Sequence, residues 1–171
     1  PAFADLDNDG DNDMMVGDSN GRLHYFENTA GSGKTANFVL KQSNYLNIDV
    51  GQYATPQLVD VNRDGKPDMI IGERDGNLNY YENTGTPEVA AFQLVSNTFG
   101  KVNVRKAGYI TGYSIPFLTQ LVDSCHYDLF VGSESGQIFR YSNIDDNLYG
   151  TFSLSDTNFL SVYNGKNSSI Y

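Results

Sequence analysis

One stretch of this chain occurs three times. PAFADLDNDGDNDMMVG (1–17) returns as PQLVDVNRDGKPDMIIG (56–72) and, worn down, as PFLTQLVDSCHYDLFVG (116–132). Each copy runs from a proline to a glycine sixteen positions on. A second block follows each copy: NGRLHYFEN, DGNLNYYEN and SGQIFRYSN, which align Gly21, Gly76 and Gly136, and Asn28, Asn83 and Asn143. A third, weaker block opens at Phe38, Phe92 and Phe152, and the step from Phe38 to Gly51 equals that from Phe152 to Gly165. The copies start 55 and 60 residues apart, with an insertion between Phe92 and Pro116. A period of this length makes each copy one supersecondary unit that buries its apolar face only against a neighbouring copy.

The unit reads as four short strands. In the first copy they are 2–5, 13–18, 22–28, where Leu23 and Tyr25 alternate with polar neighbours, and 38–42. Period-2 patterning excludes a helical solenoid, and abundant Tyr (12) and Phe (10) favour strands. Four antiparallel strands repeated over about 40–50 residues form a propeller blade. The expected fold is therefore all-β, a β-propeller segment of three four-stranded antiparallel blades. Blade 1 is placed at 1–55, blade 2 at 56–115, and blade 3 at 116–171 with the lead-in to a further blade.

Five aspartates stand between positions 5 and 13, a density of like charge that needs compensation. Asp5, Asp7, Asp9 and Asp13 fall at loop positions 1, 3, 5 and 9, Gly10 follows position 5, and Asp11 at position 7 can offer its carbonyl. Alternating hard oxygens around a sharp glycine turn describe a calcium loop. Zinc would draw on Cys or His, which this loop lacks. The second copy has Asp60, Asn62, Asp64, Lys66 and Asp68 in the same frame. An EF-hand needs a bidentate Glu at position 12 and flanking helices, but Val16 and Ile71 stand there in strand-like runs. The third copy offers Gln120, Val122, Ser124 and Asp128, with Cys125 in place of the glycine and Asp123 one residue out of frame, so no calcium is expected in it. Two bound ions would take the formal net charge from −10 to about −6. The first loop has one more carboxylate and should bind more tightly.

DxDxDGxxD before an apolar strand, followed by G-x-L-x-Y-F/Y-x-N, resembles the FG-GAP/VCBS repeats of integrin-like β-propellers. The resemblance implies that the loop joins the first two strands of a blade. It implies side-chain ligands at Asp5, Asp7, Asp9 and Asp13 with the Asp11 carbonyl. In the second loop it implies Asp60, Asn62, Asp64 and Asp68 with the Lys66 carbonyl. It further implies a larger propeller of about seven blades, the rest of which would be the chain's first partner. The unit SNIDDNLYGTFSLSDTNFLSV, with YDLFVGSESGQIFRY, is also similar to secreted Bacteroidetes cargo of type IX secretion.

The acidic balance excludes nucleic acid as a partner, because phosphate binding needs a basic face. No apolar run approaches a membrane span. A single cysteine, Cys125, forbids an intrachain disulfide, which suits a cytosolic protein or a metal-stabilised exported one. Extracellular calcium modules bind at about 10⁻⁴–10⁻³ M, far above cytosolic free calcium, so filled loops imply export.

Catalysis is not expected. His24 and His126 lack nucleophile partners, and Gly31-Ser-Gly-Lys34-Thr35 misses the first glycine of a phosphate loop and reads as a turn. Tyr25-Phe26, Tyr80-Tyr81 and Tyr141 recur in every copy, which argues for packing before sugar stacking. The insertion KVNVRKAGYITG, with Lys101, Arg105 and Lys106, is a contact candidate. The expected role is adhesion or recognition of a protein or glycan at the cell surface. A lectin propeller, and an accessory or catalytic propeller domain of a polysaccharide-degrading enzyme, stand as alternatives.

Overall fold

The computed structural model describes residues 1–121 and 125–159. Twelve strands form three separate sheets of four, each with its strands in chain order. The first sheet holds β1 (Ala2–Ala4), β2 (Asp13–Gly17), β3 (Leu23–Asn28) and β4 (Phe38–Gln42). The second holds β5 (Thr55–Val59), β6 (Asp68–Gly72), β7 (Leu78–Asn83) and β8 (Phe92–Ser96). The third holds β9 (Ile115–Thr119), β10 (Asp128–Gly132), β11 (Ile138–Ser142) and β12 (Ser153–Asp156). All strand pairs are antiparallel, and a bulge interrupts the last pair of every sheet at the same repeat position: Tyr25/Phe26, Tyr80/Tyr81 and Arg140/Tyr141. These are the expected blades, each four-strand unit repeating one meander. Single 3-10 turns at Tyr45–Asn47 and Phe99–Lys101 follow the outer strands of the first two sheets. Gly165 and the expected lead-in to a further blade lie outside the described residues.

Burial explains the difference between sheets. Sheet two is packed on both faces, so β6 is buried throughout. Met69 and Ile71 face Leu6, Met15, Leu23, Tyr45 and Ile48 of the first sheet and its linker. Ile70 joins Leu118, Leu129, Val131 and Tyr141 on the other side. Strand alternation turns one uninterrupted apolar run into two interfaces. In sheet one the pattern of β2 alternates instead, and Phe3, Phe38 and Leu40 stay exposed, with the Phe3 and Phe38 ring centroids 6.0 Å apart.

The inner strands are each other's neighbours, β1 beside β5 and β5 beside β9. Gln57 on β5 clips the last two together: its amide donates to the Leu118 carbonyl (3.0 Å), and its oxygen accepts from the Leu118 N–H (2.7 Å). Where the chain passes between sheets, the linker backbone presses on the glycine that ends the second strand. A methyl at Gly17 would overlap the Ala54 carbonyl, and one at Gly72 would overlap that of Ser114.

Candidate metal centre

Each acidic loop joins the first two strands of its sheet, at the end opposite the linkers between sheets. In the first loop Gly10 takes φ +89°, and Ser32 of the β3–β4 loop packs 3.2 Å from where its Cβ would be. Only glycine makes this turn without strain or crowding. The Gly10 N–H donates to Asp5 Oδ2 (3.0 Å) and the Asp11 N–H to Asp9 Oδ1 (3.1 Å). Those bonds wind the loop so that carboxylate oxygens of Asp5, Asp7 and Asp9 lie within 4.8 Å of one another. Oδ1 of Asp5, of Asp7 and of Asp11 is buried and accepts no hydrogen bond. Unpaired buried carboxylate oxygens facing one another are costly, and a cation satisfies them together. Burial first, and then the Asp13 and Asp9 charges, push the Asp7 carboxyl above its ordinary value. The donor set is all oxygen, which fits calcium.

Asp13 is not one of the three clustered residues, but it lies close enough for its charge to act on Asp7. It is fully buried, and its oxygens accept from the Leu6 N–H (3.3 Å), the Tyr25 hydroxyl (3.0 Å) and the Asn28 N–H (2.8 Å). It ties the loop to β3. The Asp11 side chain accepts from the Gly31 N–H at 2.6 Å, anchoring the GSGKT segment, which is a turn with no helix after it.

The second loop repeats the frame and resolves its charges differently. Asp68 accepts from the Val61 N–H (3.1 Å), the Tyr80 hydroxyl (3.1 Å) and the Asn83 N–H (2.8 Å), as Asp13 does in sheet one. Asp60 accepts from the Asp64 N–H (3.0 Å) and Gly65 N–H (2.9 Å), and Asn62 gives its amide to Glu82 (3.2 Å). The Lys66 ammonium sits 3.1 Å from Asp64 Oδ2 and donates to the Gly85 carbonyl (3.3 Å). Oxygens of this loop therefore have internal donors, and a side-chain cation already shares the space. Arg63, at loop position 4, reaches into sheet three: it pairs with Asp145 (2.6 Å), donates to the Cys125 carbonyl (2.9 Å) and lies over the Tyr127 ring. Tyr127 returns a hydrogen bond to the Asp60 carbonyl (2.7 Å).

In the third sheet Gln120 is exposed and Asp128 is buried, while Val122, Asp123 and Ser124 lie outside the described residues. The position of Tyr25 and Tyr80 is taken by Arg140, whose guanidinium holds Asp128 at 2.8 and 2.9 Å. Sequence reasoning passed over Arg140. Its signal was available, since it stands twelve residues after the closing aspartate, as both tyrosines do.

The other expected residues fall as follows. Tyr80, Tyr81 and Tyr141 are buried and Tyr25 is spent on Asp13, so the recurrent aromatics pack the blades. His24 pairs with Asp18 at 3.2 Å. Lys101, Arg105 and Lys106 are exposed on the linker into sheet three, at the end away from the acidic loops. Among the described residues no helix is long and apolar enough to cross a membrane.

No curated protein and no solved structure matches the chain. A family model does: the FG-GAP-like repeat, over residues 5–71. The matched span takes in the first acidic loop, the rest of the first sheet, and the second loop with β6. Residues 5–71 are thus similar to the FG-GAP-like repeat, and the three like sheets stand in a β-propeller-like arrangement of blades.

Proposed function

We propose that the chain is a calcium-stabilised, non-catalytic propeller module of an exported or cell-surface bacterial protein, and that it binds a protein or glycan partner. One observation carries the metal: the clustered oxygens of Asp5, Asp7 and Asp9, three of the loop's Oδ1 atoms being buried without a donor. Asp5, Asp7 and Asp9 would hold the ion by side chain, with Asp11 giving its carbonyl as the family resemblance implies. Asp13 would support the loop from beneath. Calcium would supply charge compensation and cross-link the loop, a structural part with no reacting group beside it. Asp60, Asn62, Asp64 and the Lys66 carbonyl would form a weaker second site, with Asp68 supporting it as Asp13 does the first, because binding there displaces the Lys66 ammonium from Asp64. Asp128 takes no ion, since Arg140 already neutralises it. Export follows from the affinity range of such modules. The exposed apolar face of sheet one, with Phe3, Phe38 and Leu40, favours a further blade of the same propeller as neighbour.

Thermal melting with calcium and with chelator tests this. At about 1 mM calcium and a dissociation constant of about 10⁻⁴ M, one site adds about 1.4 kcal/mol. For a chain of this size that raises the midpoint by about 3–6 °C. An unchanged midpoint removes the metal from the proposal.

A further inference from the structure

The face opposite the acidic loops has a different chemistry. Between Glu88 and Asp123 the sequence contains no acid, yet it holds Lys101, Arg105 and Lys106 in a chain of net charge −10. Those three side chains are exposed, and among the described residues neither they nor Arg74 has a carboxylate partner. The acids nearby are engaged: Glu73 accepts from the Asp75 and Asn77 N–H groups (2.7 and 3.0 Å), Asp49 from the Gly51 N–H (2.8 Å), and Glu134 from the Thr111 hydroxyl. Asp18, beside the Tyr53 segment, accepts from the Arg22 N–H (2.9 Å) and pairs with His24 (3.2 Å), and Asp49 and Asp75 are exposed.

Two tyrosines lie on the same face, Tyr113 directly after Gly112, against which the Arg105 backbone packs. Tyr53 and Tyr113 occupy equivalent places, each three residues before the proline of the next inner strand. Their ring centroids are 5.0 Å apart at 72°, and both line a shallow groove with Thr55, Ser114 and Ile115. Tyr53 is 45% exposed, and neither hydroxyl has a hydrogen-bond partner among the described residues. Both residues have left-handed backbones, φ 57° and 47°, which bulky side chains rarely adopt. Arg74 is clamped between the two tyrosine segments: its N–H donates to the Gln52 carbonyl (2.9 Å), and its carbonyl accepts from the Gly112 and Tyr113 N–H groups (2.8 and 3.0 Å). The inserted turn 105–110 projects beyond them, with Ile110 85% exposed.

We infer that the Tyr53–Tyr113 groove, with Arg74 and the 105–106 turn beside it on the same face, binds an anionic polysaccharide. An aromatic face stacks on the C–H face of a pyranose ring, and its hydroxyl bonds sugar hydroxyls. Unpaired guanidinium and ammonium groups pair with the carboxylates or sulfates of the polymer. The inference rests on reading the chain as a binding module, and names the face and the ligand class.

The test is affinity electrophoresis of the 171-residue chain in calcium, through gels carrying dextran sulfate, polygalacturonate or uncharged dextran. Retardation by both anionic polymers and free passage through dextran is expected. Tyr53→Ala with Tyr113→Ala, and separately Arg74→Gln with Arg105→Gln and Lys106→Gln, should each weaken binding about tenfold or more. Tyr53→Phe with Tyr113→Phe should retain most of it, and melting checks that every variant folds. If the alanine pair unfolds, the single variants Tyr53→Ala and Tyr113→Ala are read in its place. Passage through both anionic gels overturns the inference. So does retention that the alanine pair leaves intact, which would be charge attraction alone. Displacement by polyglutamate as effective as by free polysaccharide would make the ligand an acidic polypeptide, and also overturns it. The calcium shift in melting is read on the same samples, so loss of this site and loss of the metal reading are told apart.

Discussion

At the residue scale, the two acidic loops show how one motif can answer the same charge problem in two ways. Asp7 and Asn62 hold the same repeat position, and so do Asp11 and Lys66. In the first loop those positions are carboxylates, one of them with a buried orphan oxygen beside Asp5 and one beside the Gly31 turn. In the second they are an amide spent on Glu82 and an ammonium spent on Asp64. Asp7→Asn is therefore predicted to have opposite effects with and without metal. It removes a negative ligand, so calcium should bind about tenfold more weakly or worse, about 1.4 kcal/mol. It also removes a half-buried charge that Asp13 and Asp9 repel, so the chelated protein should melt higher than the parent. Isothermal titration and melting in chelator measure the two halves, and a variant that melts lower in both conditions contradicts the charge argument. The loop frame itself was legible in the sequence, because oxygen donors and glycine recur at fixed spacing. The division of labour within it was not. Asp13 and Asp68 were expected as ligands, and spacing alone did not show that they also accept from backbone amides and from a tyrosine hydroxyl of another strand.

At the element scale, strands were legible to within about a residue because alternation and the proline-to-glycine frame mark them directly. The linkers between sheets were not, since their form depends on contacts with the neighbouring blade. Gly72 ends β6 in extended backbone, so its identity comes from the space left by the Ser114 carbonyl rather than from a turn. Gly72→Ala must push that linker aside, and overpacking of this kind costs about 1–3 kcal/mol. A urea midpoint that falls without a change in slope would register it, and an unchanged midpoint would mean the linker yields freely. Arg140 gives the second prediction at this scale. Its guanidinium neutralises Asp128, itself nearly buried, so Arg140→Met strands a carboxylate beside β9 and β11. Removing one partner of such a pair costs about 3 kcal/mol when fully buried, and less here because the arginine is partly exposed. Asp128→Asn in the Arg140→Met background should recover part of the loss. Calcium should not recover it, which separates a built-in cation from a vacant metal loop.

At the scale of the whole molecule, the contacts that join the blades include the apolar interfaces, the linker hydrogen bonds, the Gln57 clip between inner strands, and the Arg63 staple. The staple runs from the second acidic loop to Asp145, with Tyr127 closing the circuit back to Asp60. Burial works against ionising Asp145, but the Tyr127 amide and the Arg63 guanidinium together hold its carboxyl below the ordinary 3.8. Below that ordinary value the unfolded chain takes up the proton first, so stability there rises with pH. The contribution of Asp145 is thus complete above about pH 4 and is lost as pH falls through its lower folded value. Asp7, Asp13 and Asp68 are shifted the other way, chiefly by burial, and oppose this trend in the metal-free protein. The comparison must therefore be made against a variant that changes Asp145 alone. Asp145→Asn should melt below the parent at pH 7 and converge on it as the pH drops under about 3.8. Arg63→Met should reproduce the deficit at pH 7, and combining the two should add little, because both break one contact. A deficit that persists unchanged at low pH would mean that Asp145 acts through shape and its backbone bond to Tyr127, with no part for its charge in holding sheets two and three together.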